Sequence, residues 1–298
     1  MIVKYGIKDV NIDVTYICFN KLNKNNIINI PESEVERSYH FGDPLYGTLK
    51  SIFIVNDLGE TLEFDYKHNI QIDTTTGIIT SYTEEVFEEK LKNIHSKLKI
   101  EFGTMNDEYP EQIMAVKYLT GNEKILEIGG NIGRNSLVIS SILKEKNNTN
   151  FVSLESSKDI SYQLTYNRDI NKLNFYIEPS ALSKRNLIQK GWDTMVSDVL
   201  LDGYIKVDTI TLDELQSKYN IDFDTLVLDC EGAFYYILMD MPEILNNIKL
   251  IIMENDYWDI NKKQYVDDVL RNNGFYIDYK KTGGWGPCFN NFYEVWKK

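Results

Sequence analysis

Short stretches of alternating apolar and polar residues, or of clustered β-branched and aromatic residues, fill the first 80 positions of the chain. Turn-forming residues separate them, at 42–44 (Gly-Asp-Pro) and at 56–59, where the flanking runs are typical of a hairpin. The predicted strands are 2–5, 12–18, 27–30, 49–55, 62–66 and 70–72. The pattern predicts a small all-β domain over 1–80, either a sandwich or a partial barrel.

The apolar spacing changes to that of a helix over 83–100. The apolar residues on the common face are Phe87, Leu91, Ile94 and Leu98. Thr83 suits the N-cap position ahead of two glutamates. We predict a connecting helix over 81–100 that packs on one domain, and a face that binds a partner is the open alternative.

From about residue 101 onward, short apolar runs alternate with helical stretches. The predicted strands are 124–128, 151–154, 175–177, 225–228 and 250–253, and the predicted helices are 110–119, 134–143, 160–170 and 234–245. Thr211-Leu212-Asp213-Glu214 fits a capping box for one more helix. The alternation predicts a parallel, doubly wound α/β sheet over 101–298. The last two predicted strands, 275–279 and 292–296, indicate a terminal antiparallel hairpin. With it the sheet has seven strands and resembles the class I methyltransferase version of the Rossmann fold.

The charge of the chain bears on its partners. A formal net charge of −13 is unfavourable for binding a polyanion, because phosphate contacts need clustered lysine and arginine. A basic patch around Ser183-Lys184-Arg185 and Lys190 is an open alternative to an ordinary solvated loop. We therefore do not expect nucleic acid as a partner.

The chain shows no sign of export or of a membrane segment. No apolar stretch approaches the roughly 20 residues that span a bilayer, and the N-terminal sequence lacks the apolar core of a signal peptide. Cys18, Cys230 and Cys288 are far apart, which favours reduced thiols and argues against a disulfide framework or a zinc site. The three histidines are equally scattered. We expect a cytoplasmic protein without a histidine-based metal centre.

The strongest motif follows the first predicted parallel strand, where Glu127-x-Gly129-x-Asn131-x-Gly133 precedes a helix. Glycine there permits a tight turn and the approach of a ligand, and the helix start presents free N–H groups. A dinucleotide fingerprint would read Gly-x-Gly-x-x-Gly. The acid at position 127 instead suits a cation such as the sulfonium and ammonium groups of S-adenosylmethionine. Glu155 ends the next strand, where a carboxylate can accept both ribose hydroxyls. A glycine turn without a ligand is the alternative.

A series of motifs, in the same order along the chain, resembles the FkbM family of methyltransferases. They are Glu127-x-Gly129-x-Asn131-x-Gly133, Glu155, Asn167 and Asn171, Ser180-Ala181-Leu182-Ser183, Thr211-Leu212-Asp213-Glu214-Leu215, and Leu228-Asp229-Cys230-Glu231-Gly232-Ala233. The resemblance covers about 101–298 and implies O-methylation, often of a sugar or polyketide hydroxyl. The family's Asp-Val-Glu-Gly is Asp-Cys-Glu-Gly here, which keeps both carboxylates, and 184–208 carries no motif that can be assigned.

The resemblance implies S-adenosylmethionine as the cofactor and gives roles to individual residues. The bend that begins at Glu127 would hold the methionine side, Glu155 the ribose, and Ser180 and Ala181 would lie beside the adenine. The predicted cofactor-binding residues are Glu127, Gly129, Gly130, Asn131, Gly133, Glu155, Ser156, Ser180, Ala181 and Asp229.

Acidic residues beyond two later strands are candidates for catalysis. A sugar hydroxyl is a weak nucleophile, so a general base is expected beside groups that hold the reactants in line. The predicted catalytic residues are Asp229 and Glu231, just beyond the fourth strand, and Glu254, after the fifth, with Asp256 a further candidate. Alternatively, Glu231 opens the next helix and Asp229 is structural. We predict no metal ligand. A divalent cation held by these carboxylates stays open, because the spacing does not decide.

Aromatic residues suggest two carbohydrate surfaces. Trp258 and Trp285 are expected on loops at the active-site edge, where they would stack on a sugar ring or form a hydrophobic plug. The first domain contains Phe-Gly-Asp-Pro at 41–44. It resembles modules that accompany sugar-modifying enzymes of large DNA viruses, as does the ending 292–296. Its candidate aromatics, with core packing as the alternative, are Tyr39, Phe41, Tyr46 and Phe53.

The sequence thus predicts an S-adenosylmethionine-dependent O-methyltransferase acting on a sugar hydroxyl of a nucleotide-sugar or glycan. Its expected place is the cytoplasm, that of the host if the protein is viral, with a carbohydrate partner and neither nucleic acid nor membrane. A protein or RNA methyltransferase and a non-catalytic cofactor-binding scaffold are the alternatives. The sequence predicts no particular oligomeric state.

Overall fold

The computed structural model of the protein describes residues 1–191 and 193–298. The chain divides into two units, Met1–Glu89 and Lys90–Lys298, and the division falls inside the helix that the sequence predicts as a connection. Trp192, in the segment to which no motif is assigned, lies outside the described residues. Within the described ranges, no helix has the length and apolar character of a membrane span.

The first unit consists of two antiparallel sheets. Its strands are β1 Ile2–Ile7, β2 Val10–Asp13, β3 Asn23–Lys24, β4 Ile27–Ile30, β5 Ser51–Val55, β6 Thr61–Phe64, β7 His68–Asp73 and β8 Ile79–Thr83, and its helices are α1 Thr15–Ile17 and α2 Glu34–Phe41, with α3 Glu84–His95 running across the division. The sheet orders are β2-β1-β5-β6 and β3-β4-β7-β8. Val3 and Ile52 of one sheet share a buried core with Ile28 and Ile70 of the other, so the unit is a sandwich.

Two local predictions for this unit are wrong. The strand predicted over 12–18 ends at Asp13, because the chain turns into a helix in which the amide of Cys18 donates to the carbonyl of Val14 at 3.0 Å. The side chains of Val14 and Cys18, four residues apart, are both buried. Helix α2 was not predicted, because one of its two buried residues is Arg37, which a search for apolar spacing passes over.

The four aromatic residues of the first unit that were candidates for a glycan surface differ in their exposure to solvent. Phe41 and Phe53 are buried, with 5% and 8% of their surface exposed, whereas Tyr39 and Tyr46 are exposed. Core packing, the alternative interpretation, therefore holds for Phe41 and Phe53.

The second unit is an α/β structure. Its helices are α4 Tyr109–Tyr118, α5 Arg134–Lys144, α6 Lys158–Ile170, α7 Leu212–Tyr219, α8 Phe234–Asp240 and α9 Ile260–Asn272, and its strands are β9 Ile125–Ile128, β10 Phe151–Leu154, β11 Tyr176–Glu178, β12 Ala181–Leu182, β13 Leu187–Lys190, β14 Asp193–Val196, β15 Ile205–Val207, β16 Thr209–Ile210, β17 Thr225–Leu228, β18 Leu250–Glu254, β19 Tyr276–Lys281 and β20 Tyr293–Lys297. The predicted capping box is present, with Thr211 accepting from the amide of Glu214 and the Glu214 carboxylate accepting from the amide of Thr211.

Seven strands form the main sheet, in the order β11-β10-β9-β17-β18-β20-β19. All neighbours pair in parallel except β20, which is antiparallel to β18 and to β19. The chain runs outward from β9 through β10 to β11 and then returns to β17 on the other side of β9. The fold is therefore Rossmann-like, and the ends of β9 and β17 mark the place where the strand order reverses. Open α/β sheets bind their ligands at that place.

The central strands are buried on both faces, which is why they read as short apolar runs. Leu126 and Ile128 of β9 join the core on the face covered by α7, α8 and α9. Because side chains alternate along a strand, Glu127 points to the opposite face, where Ser136 of α5 meets it. The segment without an assigned motif contributes β13, β14 and β15 to a separate antiparallel sheet.

Candidate functional site

The glycine bend after β9 packs tightly against other parts of the protein. Gly129 has a φ of +93°, and a Cβ there would lie 1.6 Å from the carbonyl oxygen of Asp229. Gly133 has a φ of +98°, and its Cβ would lie 2.4 Å from Cδ1 of Leu164. Glycine is thus required by backbone conformation and by contact with the end of β17 and with α6. Of the two reasons that the sequence analysis gave, the tight turn therefore suffices, and the approach of a ligand is not needed to explain these positions.

Glu127 is buried in a polar cluster behind the bend. Its carboxylate accepts hydrogen bonds from Ser136 Oγ and, at 2.5 Å, from Ser153 Oγ. Burial raises the pKa of Glu127 to about 7, although the two serine hydrogen bonds act in the opposite direction. Glu127, the predicted cofactor ligand, is therefore already hydrogen-bonded to two serines of the protein. It also lines the cavity described below.

Glu155 follows β10 and ties the bend to the neighbouring strand end. Its Oε2 accepts from the amide of Asn131 at 2.9 Å, and its Oε1 accepts from the amide of Ser157 at 2.8 Å. Only 5% of its surface is exposed. Burial raises the pKa of Glu155, and the two amide hydrogen bonds oppose this rise. Ser156, beside it, donates to Gln189 Oε1 at 3.3 Å.

The predicted adenine-side residues adjoin Glu178, an acid that sequence reasoning did not select. Glu178 ends β11, and its main-chain carbonyl accepts from the amide of Glu155 at 3.1 Å, which places the two strand ends side by side. Its carboxylate accepts from Ser180 Oγ, Lys218 and Tyr219. Ala181 opens β12 immediately afterwards.

Three carboxylates meet at the carboxyl edge of the sheet. Glu111, Asp229 and Glu254 each offer an oxygen, and these oxygens lie within 4.8 Å of one another. Burial, reinforced by the neighbouring acids, raises the pKa of Glu254 to about 12 and holds that of Asp229 well above its ordinary value. Burial also raises the pKa of Asp256, two residues after β18, to about 6. The structure thus brings together two of the predicted catalytic residues.

Glu231, the third predicted catalytic residue, stands apart from this group. It lies in the turn before α8 with a φ of +51°, and burial raises its pKa. Its negative charge nevertheless contributes to the raised pKa of both Asp229 and Asp256.

Two site residues were not predicted, Glu108 immediately before helix α4 and Glu111 in its first turn. Glu108 precedes the helix with a φ of +59° and accepts from Arg134 Nη1 at 2.7 Å and from Asn131 Nδ2 at 3.0 Å. Burial raises its pKa, and Arg134 opposes the rise. The only sequence signal was Pro110, which marks the helix start, where acids are common for electrostatic reasons alone.

A small cavity lies between the glycine bend and the acids. The residues that line it are Glu108, Glu111, Glu127, Gly129, Asn135, Val227 and Asp229. Two buried acceptors of this lining, Glu111 Oε2 and Asn135 Oδ1, have no hydrogen-bond partner among the described residues. Four of the seven residues are acids, of which Glu108 is paired with Arg134, and burial raises the pKa of Glu127 and of Asp229, so a cation in the cavity would stabilise their ionised forms.

The two candidate tryptophans form a pair. The ring centroids of Trp258 and Trp285 are 4.1 Å apart, and 79% and 41% of their surfaces are exposed. Trp258 follows β18 and Trp285 follows β19, so the pair stands at the same edge of the sheet as the acids.

Comparison with known proteins gives matches in structure alone. No family model matches the chain, and no curated protein matches it. The Bacillus cereus O-methyltransferase in complex with SAH is 14% identical, with a TM-score of 0.41 over 72% of this chain and 90% of that one. A putative O-methyltransferase from Klebsiella pneumoniae is 14% identical, with a TM-score of 0.39 over 71% and 89%. A putative RNA methyltransferase from Pyrococcus horikoshii is 10% identical, with a TM-score of 0.42 over 71% and 97%. Membership of the FkbM family stays a prediction.

Proposed function

We propose that the second unit is an S-adenosylmethionine-dependent methyltransferase that acts on a carbohydrate hydroxyl. The observation that carries this proposal is the acid-lined cavity beside Gly129 and Asp229, at the place where the strand order reverses. A ligand at this place has to be compatible with four carboxylates. A cationic sulfonium meets that condition, and the pyrophosphate of a dinucleotide does not.

The electrostatic preference is large enough to select a ligand. Opposite unit charges about 4 Å apart attract by about 4 kcal/mol at an effective dielectric constant of 20. When bound, S-adenosylmethionine supplies a methyl group on a positively charged sulfur. Glu127 and Asp229, on the two sides of the bend, would face that positive charge.

Glu155 fits the role of ribose ligand. It is buried at the end of the strand next to β9, and each of its oxygens accepts one backbone hydrogen bond. A carboxylate has about four acceptor sites, so both oxygens keep capacity for a hydroxyl donor. Ser180 and Ala181, on the following strand end, would adjoin the base.

The acceptor side is proposed from the acids and the tryptophans. Asp256, whose pKa burial raises to about 6, is the proposed general base for an attacking hydroxyl, because Asp229 and Glu254, with their higher pKa values, would hold a proton near neutral pH. The exposed Trp258–Trp285 pair offers flat apolar surface to a sugar ring at the same sheet edge. The net charge of −13 weighs against an RNA acceptor.

Calorimetry tests the cofactor and labelling tests the acceptor. The intact chain should bind S-adenosylmethionine more tightly than S-adenosylhomocysteine, which lacks the sulfonium charge. Glu155→Gln should weaken binding at least tenfold, since charge-assisted hydrogen bonds contribute about 1.5–3 kcal/mol each. Glu145→Gln, at an exposed position, is the control. With methyl-labelled cofactor, glycans and nucleotide-sugars should take up label. Label in protein or RNA alone would refute the carbohydrate assignment, and tight binding without any transfer would favour a scaffold.

A further inference from the structure

Three elements bring one carboxylate each to a common point. Glu111 comes from the first turn of α4, Asp229 from the residue after β17, and Glu254 from the last position of β18. One oxygen of each lies within 4.8 Å of the other two. Such a group is not explained by capping or by a local turn, because its members are distant in sequence.

The negative charge of this group has no counterion in the described part of the chain. Among residues 1–191 and 193–298, none of the three carboxylates forms an ion pair with a lysine, arginine or histidine. The neighbouring cation, Arg134, is bound to Glu108 and to Asp107. Bringing like charges together in a buried place is unfavourable unless protons or a cation compensate them.

Asn135 provides an independent indication of a cation. Only 8% of its surface is exposed, and within the described ranges its Oδ1 accepts no hydrogen bond, although the side chain lines the same cavity as Glu111 and Asp229. Glu111 is buried to a similar extent, but its carboxyl lies within hydrogen-bonding reach of that of Glu254 and so has a donor whenever Glu254 is protonated. A buried acceptor without a donor is unfavourable. The amide oxygen of Asn135, beside the carboxylate group, therefore points to a ligand that attracts oxygen lone pairs.

We propose that Glu111, Asp229 and Glu254 bind a divalent cation of the magnesium, manganese or calcium type, with the amide oxygen of Asn135 as a further donor. All four donors are oxygens, which hard cations prefer and which soft metals do not. Metal–oxygen distances of about 2.0–2.6 Å place ligands on opposite sides of an ion about 4–5 Å apart. The 4.8 Å limit on the three oxygens lies within that span.

This site does not depend on the proposed methyltransferase function. A cation would neutralise the carboxylates whatever the cofactor. If both proposals hold, the ion shares Asp229 with the sulfonium and occupies Asp229 and Glu254 as ligands, and it lowers the pKa of a bound hydroxyl whose proton Asp256 would then receive.

Manganese alone is the probe for the test. The intact chain, stripped of metal with a chelator, is titrated with Mn²⁺ and free Mn²⁺ is followed by electron paramagnetic resonance. We expect one ion per chain, displaced by Mg²⁺ or Ca²⁺, and a rise in Tm on binding. Glu111→Gln and Glu254→Gln should each weaken binding at least tenfold, whereas Glu145→Gln should bind like the natural chain. Each of the first two changes replaces a carboxyl by an amide of nearly the same size, so both variants should fold, and tryptophan fluorescence checks that they do.

The outcomes separate the two proposals. Absence of bound Mn²⁺, or equal affinity in Glu111→Gln and the natural chain, overturns the metal site even if S-adenosylmethionine binds. Glu155→Gln should keep its affinity for Mn²⁺ while losing affinity for the cofactor. Binding of Mn²⁺ by a chain that does not bind the cofactor would leave the metal site standing and remove the methyltransferase. An ion that Glu111→Gln does not affect would lie elsewhere and contradict the assignment.

Discussion

The stability of the second unit should depend on pH through Glu127. Burial raises the pKa of this group from 4.5 to about 7. In the unfolded chain it ionises near 4.5, so between pH 4.5 and 7 the folded state holds a proton that the unfolded state releases. Stability from this group is therefore fully present below pH 4.5 and declines as the pH rises towards 7. The loss is about 2.5 pKa units, or about 3 kcal/mol at 1.36 kcal/mol per unit.

The comparison of the natural chain with Glu127→Gln isolates this contribution, because glutamine does not titrate. The pI is near 4.8, and proteins precipitate readily close to their pI, so the measurement begins at about pH 5.5. About 2 kcal/mol of the predicted loss of stability remains above that pH. Residues 1–89 contain no tryptophan, so urea unfolding followed by tryptophan fluorescence reports on the second unit. The free energy of unfolding of the natural chain should fall relative to the variant by about 2 kcal/mol from pH 5.5 to 8. Glu145→Gln, exposed at the end of α5, should show a constant difference. A constant difference for Glu127→Gln as well would refute the assignment.

Two further changes test the packing of the second unit by the same fluorescence measurement. Lys263→Met should cost about 3–5 kcal/mol, because it leaves the fully buried Glu294 without its 2.8 Å ion pair, and adding Glu294→Gln should recover part of the loss. A Lys263→Met variant as stable as the natural chain would contradict this. Gly129→Ala should cost about 3 kcal/mol or more, because its Cβ would meet the carbonyl of Asp229. Gly191→Ala, also at positive φ but with no atom within 4 Å, should cost only about 1 kcal/mol. Equal costs for the two alanines would mean that conformation alone, and not the contact, requires glycine at 129.

The sheet of the second unit was predictable because its strands are buried on both faces. A strand such as β17, Thr225–Leu228, has to be apolar at nearly every position, and the helix before it, α7, begins with a capping box. The first unit was less predictable. Its segment after Asp13 has apolar residues that fit a strand as well as a helix, and only the packing of Cys18 into the core decides between them.

The candidate site was predictable only where one segment of chain builds it. The bend from Glu127 to Gly133 and the acid that ends β10 are local patterns, and the sequence shows both. Glu111 does not belong to a local pattern, because its place in the site depends on its proximity to residues 229 and 254, more than a hundred positions away in the sequence. Ser136 and Ser153, which hold Glu127, likewise belong to elements whose pairing only the folded chain displays.

The position of the cofactor sulfur tests the central claim most directly. A crystal of the intact chain grown with S-adenosylmethionine should show the sulfonium in the acid-lined cavity beside Gly129 and Asp229, with both ribose hydroxyls on Glu155. The sulfur can also be located by its anomalous signal. Electron density for S-adenosylmethionine at any other place would contradict the account. So would protein side chains, and no cofactor, in the cavity of a crystal saturated with the cofactor.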